Sequence, residues 1–147
     1  MKNFIIAIMI LFPASIALES CADVVLNLSQ KYDIPPCLIK AIIHRESRGR
    51  TQAKRFEKKV RDWSYGAMQI RWKTATQELG FRGTREQMLN LEVNVELGIR
   101  YLVKKLRRYG TVERAVAAYN VGSVGKVIKN KEYVNDVMRL YATCEVH

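Results

Sequence analysis

The chain has 147 residues, 48% of them hydrophobic and 27% charged, a balance that fits one globular domain with its own core and excludes a disordered or fibrous chain. Its 25 Lys plus Arg against 14 Asp plus Glu leave a net charge of +11, which attracts polyanions such as nucleic acid, an anionic membrane surface or an acidic cell-wall polymer. Charge alone does not choose among these.

The first residues narrow the choice. Met1-Lys2-Asn3 is a positive start, Phe4 to Phe12 is an unbroken apolar run, and Pro13-Ala14-Ser15-Ile16-Ala17 ends it with small residues. This is the three-part form of a secretory signal over residues 1–17, with cleavage as late as residue 22, and the run is too short to cross a bilayer comfortably. A retained anchor and a lipoprotein signal built on Cys21 are the competing readings, so membrane contact is expected only through the signal or a lipid anchor. Export implies a periplasmic or secreted location and argues against nucleic acid as the partner. It also permits disulfides, and Cys21, Cys37 and Cys144 allow at most one internal bridge, 37 with 144 or 21 with 144. No metal site is expected, because the cysteines form no close pair and the histidines are only His44 and His147.

Val24, Val25, Leu28 and Tyr32 space like a short amphipathic helix, ended by the turn Asp33-Ile34-Pro35-Pro36. Pro36 then opens a second helix, since proline at a first helical position gives up an N–H that would go unpaired anyway. On it Ile39, Ile42, Ile43 and Glu46 fall at i, i+3, i+4 and i+7, so Glu46 continues an apolar stripe. A poorly solvated carboxyl has a raised pKa, which suits a general acid near neutral pH. His44 points to a different side of the helix.

Residues 49–62 are polar and basic, with Arg50, Lys54, Arg55, Lys58, Lys59 and Arg61, and read as a surface loop that could form an electropositive lip. The stretch Trp63 to Ile70 leads into a helix with Ile70, Ala75 and Leu79 inward and Gly80 as its stop. Gly66, between an aromatic residue and that helix, marks a close backbone approach. Thr84 and Gln87, three apart, form a capping box for a short helix. Asn90 caps the longest helix, which runs to Tyr109 before Gly110, with Leu91, Val95, Ile99, Leu102 and Leu106 as its seam and Gly98 on the same side. Thr111 caps the next helix, broken at Asn120-Val121-Gly122-Ser123, and Tyr133, Val134, Val137 and Tyr141 mark the last one before Cys144. No run alternates long enough for a strand, so the chain reads as a single all-α domain of six or seven helices.

Three segments carry the chemistry: Glu46-Ser47, Tyr65-Gly66-Ala67-Met68-Gln69-Ile70, and Ala118-Tyr119-Asn120-Val121-Gly122. In this order and spacing they resemble the lytic transglycosylases of the soluble-lytic-transglycosylase type, over roughly residues 32–141, and Asn94 to Tyr101 looks like that family's central helix. The resemblance implies a goose-type lysozyme-like helical domain with a cleft, here residues 22–147. It implies cleavage of the β-1,4 bond between N-acetylmuramic acid and N-acetylglucosamine in peptidoglycan glycan strands, leaving a 1,6-anhydromuramic acid end and needing no cofactor.

Residue by residue, Glu46 would be the sole catalytic carboxyl, acid and then base, with the substrate's own N-acetyl group in place of a second carboxylate. Ser47 would hydrogen-bond near the acid or the substrate. Gly66 would let the backbone meet a sugar, with Met68 and Gln69 lining the groove. Tyr119 would place its hydroxyl by Glu46, and Asn120 would hold the turn and touch sugar. Asp62 and Glu57 are the nearest second carboxylates, both expected as surface ion pairs in the basic loop. Ala67, where the family commonly has Leu, would widen the groove. A hydrolytic muramidase and a non-enzymatic cationic wall-binding protein are the alternatives, and size points to a local task for a secretion, conjugation or phage apparatus.

Overall fold

The computed structural model describes residues 20–125 and 128–144, so the signal-like segment at residues 1–17 lies outside the described residues. Helix α1 (Cys21–Tyr32) starts at a reciprocal capping box in which Ser20 accepts from the Asp23 N–H and Asp23 accepts from the Ser20 N–H. Helix α2 (Pro36–Ser47) has proline at its first position and ends at Arg48 in the left-handed region. Helix α3 (Leu91–Tyr109) is capped by Asn90 and terminated by Gly110 at φ 77°, where lack of a Cβ removes the steric cost. Helix α4 (Val112–Val121) is capped by Thr111, and α5 (Lys131–Cys144) closes the described chain.

The caps of α3 and α4 follow from the sequence, as does the reciprocal Thr84–Gln87 pair, which opens a 3₁₀ turn at Gln87–Leu89. Between α2 and that turn the expectation of no strands fails. Residues Lys54–Glu57 (β1), Asp62–Tyr65 (β2) and Ile70–Arg71 (β3) form an antiparallel sheet in the order β1-β2-β3, with Arg55 opposite Ser64 and Phe56 opposite Trp63. Two-residue alternation sends Arg55, Glu57 and Ser64 toward a cleft, while Phe56 and Trp63 meet on the other side with ring centroids 5.4 Å apart, each 45% exposed. Ile70 therefore sits in a strand instead of the expected helix, which is replaced by a π-helical turn at Thr74–Glu78.

Helix α3 is central. It packs on α1 and α4, α2 packs on α1 and α5, and α4 packs on α5. Val95, Ile99 and Leu102 of α3 are fully buried with Val25, Ile39, Ile42, Val116 and Val137 from the surrounding helices. Each such side chain contributes roughly 1.5–3 kcal/mol by leaving water. Glu96 of α3 accepts from Lys31 at 2.7 Å and Tyr32 at 2.6 Å, tying down the end of α1. A disulfide joins Cys37 at the start of α2 to Cys144 at the end of α5, across Cα atoms 5.6 Å apart, and Cys21 is free and exposed. This decides between the two pairings open in the sequence. Among the described residues no helix is long and apolar enough to cross a membrane.

Candidate active site

A cleft of about 560 Å³ runs between the sheet and the helices, lined by Glu46 of α2, Arg55, Glu57 and Ser64 of the hairpin, and Tyr101, Tyr119 and Asn120 of α3 and α4, among others. Glu46 lies in the last turn of α2, and its side chain is only 6% exposed. Tyr133 of α5 donates to Glu46 Oε1 at 2.7 Å, and Arg55 Nη2 stands 3.7 Å from Oε2. Burial raises the Glu46 pKa above the usual carboxylate value, and this outweighs the lowering by the Tyr133 hydrogen bond, Arg55 and Arg45; Glu57 adds to the rise. The negative end of the α2 dipole acts in the same direction as burial. The result is a carboxyl that faces a cleft, is kept from bulk water and has a hydrogen-bonded partner to fix its orientation. That is the environment of a general acid.

The stripe that places Glu46 is readable in the sequence; Tyr119 lies near enough to feel the Glu46 charge, but the phenol that hydrogen-bonds to the carboxyl is another one. Tyr119 lines the cleft but donates to the Met68 carbonyl at 2.9 Å, and its ring meets Tyr101 edge-on at 5.3 Å. The hydroxyl that donates to Glu46 is that of Tyr133, which in the sequence serves only as one of the residues that mark the last helix. Burial, and then the neighbouring Glu46 charge, push both phenols well above their ordinary pKa, so each stays a neutral hydrogen-bond donor.

The turn at residues 65–70 differs from its expected role. Ser47 is buried and donates to the Ala67 carbonyl at 2.7 Å, so it holds this turn against α2 and does not face the groove. Met68 is fully buried and packs where Gly98 has no side chain, so it is core and not groove lining; a Cβ on Gly98 would collide with it. Ala67 is likewise fully buried and does not widen the groove. Gly66, at φ 76°, lies against Asn94, whose side chain a Cβ would strike, so the close approach read from the sequence is to α3. Asn94 is fully buried, accepts from the Met68 N–H at 2.7 Å, and donates to the carbonyls of Tyr65 at 2.8 Å and Met88 at 2.9 Å. It fixes the turn.

Gln69 and Asn120 do line the cleft. Gln69 has φ 49°, costly for a residue with a side chain, and its amide donates to the Gly66 carbonyl at 2.8 Å and the Ala53 carbonyl at 3.2 Å. Asn120 is exposed and accepts from Asn130 at 3.1 Å. Of the two spare carboxylates, Asp62 is buried and accepts from the backbone N–H groups of Trp63 and Lys73, both at 2.9 Å, which makes it a strut of the sheet instead of a surface ion pair. Glu57 is ion-paired as expected, with Arg55 Nε at 2.6 Å, yet it faces the cleft. Of the basic loop, Arg55, Lys58 and Lys59 line the cleft while Arg50, Lys54 and Arg61 do not, and Arg71 of β3 adds positive charge to the same wall.

A mostly helical domain thus holds a buried carboxyl on the wall of a cationic, amide-lined groove, an arrangement suited to acid catalysis on a polar substrate. The comparisons agree: the model of the transglycosylase SLT domain matches residues 23–139, and the chain belongs to that family. It is accordingly a transglycosylase of the SLT type. An X polypeptide of Escherichia coli strain K12 is 30% identical over 147 residues, covering 96% of this chain and 84% of the relative, and a second Escherichia coli X polypeptide is 29% identical over the same length. An inactive mutant of lytic transglycosylase Slt from Pseudomonas aeruginosa shares the fold with a TM-score of 0.66 at 20% identity, over 82% of this chain and 23% of that one. The chain thus spans less than a quarter of that enzyme.

Proposed function

We propose that Glu46 alone performs the acid and base steps that cleave the bond between N-acetylmuramic acid and N-acetylglucosamine. In the first step the protonated Glu46 donates to the glycosidic oxygen, and the substrate's N-acetyl oxygen stabilises the cationic sugar. In the second, the Glu46 carboxylate takes the proton of the muramic acid C6 hydroxyl as that oxygen closes on C1, giving the 1,6-anhydro end and returning the enzyme to its starting state. One group serving both steps needs both protonation states within reach, and the opposition of burial to Tyr133 and Arg55 supports this. Tyr133 orients the carboxyl. Gln69, Tyr119 and Asn120 contact the sugars, while Ser47, Gly66, Met68 and Asn94 set the shape of the wall behind them.

The observation that carries this reading is the buried, tyrosine-bound carboxyl of Glu46 at the cleft. Work on peptidoglycan puts the protein outside the cytoplasm, through the signal at residues 1–17, and we assign it a local task in opening the wall for a secretion, conjugation or phage apparatus. Mass spectrometry of glycan fragments from digested peptidoglycan tests the chemistry. Anhydro ends, lighter by one water than reducing ends, are expected; reducing ends would make the protein a muramidase, and unchanged glycan a wall binder. Deletion in the host tests the task, which fails if assembly of such an apparatus is unaffected.

A further inference from the structure

We propose that Glu57 is a positioning residue that tethers the Arg55 guanidinium just short of a direct hydrogen bond to Glu46, leaving the two in a loose ion pair. The inference rests on the catalytic reading of Glu46 above. Charge-assisted N–H···O bonds close to about 2.7–2.9 Å. Arg55 makes such a bond through Nε to Glu57 Oε1 at 2.6 Å, whereas its Nη2 stops 3.7 Å from Glu46 Oε2. Glu57 is itself steadied from the facing strand, where the Ser64 hydroxyl donates to the same Oε1 at 3.3 Å. Arg55 and Glu57 share one face of β1, and Ser64 is the cross-strand partner of Arg55. The hairpin therefore presents a cation with one edge occupied and the other held off.

The chemistry gives this spacing a purpose. A fully closed Arg55–Glu46 pair would keep Glu46 ionised and useless as the initial acid, while removing the cation would leave the carboxylate formed after proton donation without a counter-charge. The other groups around Glu46 do not duplicate the arrangement. Arg45, on the same helix, is paired with Asp136 at 3.1 Å and lies over the Tyr133 ring at 5.3 Å. Tyr133 from α5 is committed to Oε1, and Tyr119 from α4 to the Met68 carbonyl. Lys58 and Lys59 after β1 and Arg71 of β3 line the cleft without an ion pair to Glu46.

The test uses the full chain with ¹³C-labelled glutamate, following the Glu46 carboxyl by NMR from acid to alkaline pH in wild type, Glu57→Gln, Arg55→Gln and the double variant, with rates of peptidoglycan cleavage measured alongside. Glu57→Gln is expected to release Arg55 onto Glu46, so that Glu46 ionises at lower pH and cleavage at neutral pH falls about tenfold or more. Arg55→Gln is expected to shift ionisation to higher pH, and adding Glu57→Gln to it is expected to change little, because the tether acts through the arginine. The proposal is overturned if Glu57→Gln leaves the Glu46 titration in place. It is also overturned if Glu57→Gln shifts that titration as much without Arg55 as with it, the mark of direct repulsion between the two carboxylates. A wild-type chain that does not cleave glycan would sink the catalytic reading instead, and the titrations would still decide the tether.

Discussion

Replacing Tyr133 by Phe removes one hydroxyl and leaves the ring packed against α2. The bond lost is 2.7 Å long, partly buried, and made to a group that is an anion in one of its two states. A hydrogen bond to a charged group contributes about 1.5–3 kcal/mol, and most of that is absent when the acceptor is protonated. The substitution therefore shifts the balance between the acid and carboxylate forms of Glu46 by a factor of roughly 10–150 toward the acid. Since the first step needs the acid, the alkaline limb of kcat/KM should move to higher pH. At every pH the variant should also lose some rate because the carboxyl is less well oriented. The ratio of variant to wild-type kcat/KM, measured on solubilised glycan strands from acid to alkaline pH, should thus be low at acid pH and climb by about one order of magnitude or more through the wild-type limb. A ratio that stays flat across the range would refute the claim that this phenol acts on the ionisation of Glu46.

Asn94→Ala strands the Met68 N–H and the Tyr65 and Met88 carbonyls in the core, at about 1–3 kcal/mol each, so denaturant unfolding should show a loss of several kcal/mol; a loss under about 1 kcal/mol would mean that the turn is held by something else. Glu46→Gln should stabilise the protein at neutral pH by about 0.5–2 kcal/mol. The sign follows from the raised pKa: the folded state binds the Glu46 proton more tightly than the unfolded chain, so wild-type stability is full below the ordinary carboxylate pKa and falls as pH rises through the folded value. Melting curves of the two proteins should accordingly converge at acid pH and separate toward neutral, and parallel curves would contradict the linkage. Cys37→Ser should cost about 2–4 kcal/mol under oxidising conditions, because the bridge closes a loop of 107 residues, whereas Cys21→Ser should leave the unfolding midpoint unchanged.

The parts of this fold that were legible in the sequence are those settled within a few residues. Asn90, Gly110, Thr111 and the Thr84–Gln87 pair satisfy or end backbone hydrogen bonding locally, so their roles are visible without tertiary structure. The hairpin was not legible because β1 is four residues long and largely exposed, and its alternation of Arg55 and Glu57 with Phe56 carries no hydrophobic signal. Glu46 was recognisable since a carboxyl continues an apolar stripe and Glu46-Ser47 opens the three-segment signature, but Tyr133 was hidden because its ring obeys the spacing of its helix and only its hydroxyl departs from it. Ser47, Gly66 and Met68 stand in the signature yet serve behind the cleft wall. A motif marks which residues the site requires; which of them face the groove is decided by the packing of α2, α3 and the turn.

The most direct test of the central claim is the rate of peptidoglycan cleavage by Glu46→Gln, measured beside its melting curve at the pH where wild type is fastest. General acid–base catalysis by a single positioned group contributes about 10²–10⁴-fold, so the folded variant is expected to lose at least two orders of magnitude. A well-folded Glu46→Gln protein that still cut glycan within about tenfold of wild type would contradict the assignment of the reaction to this carboxyl.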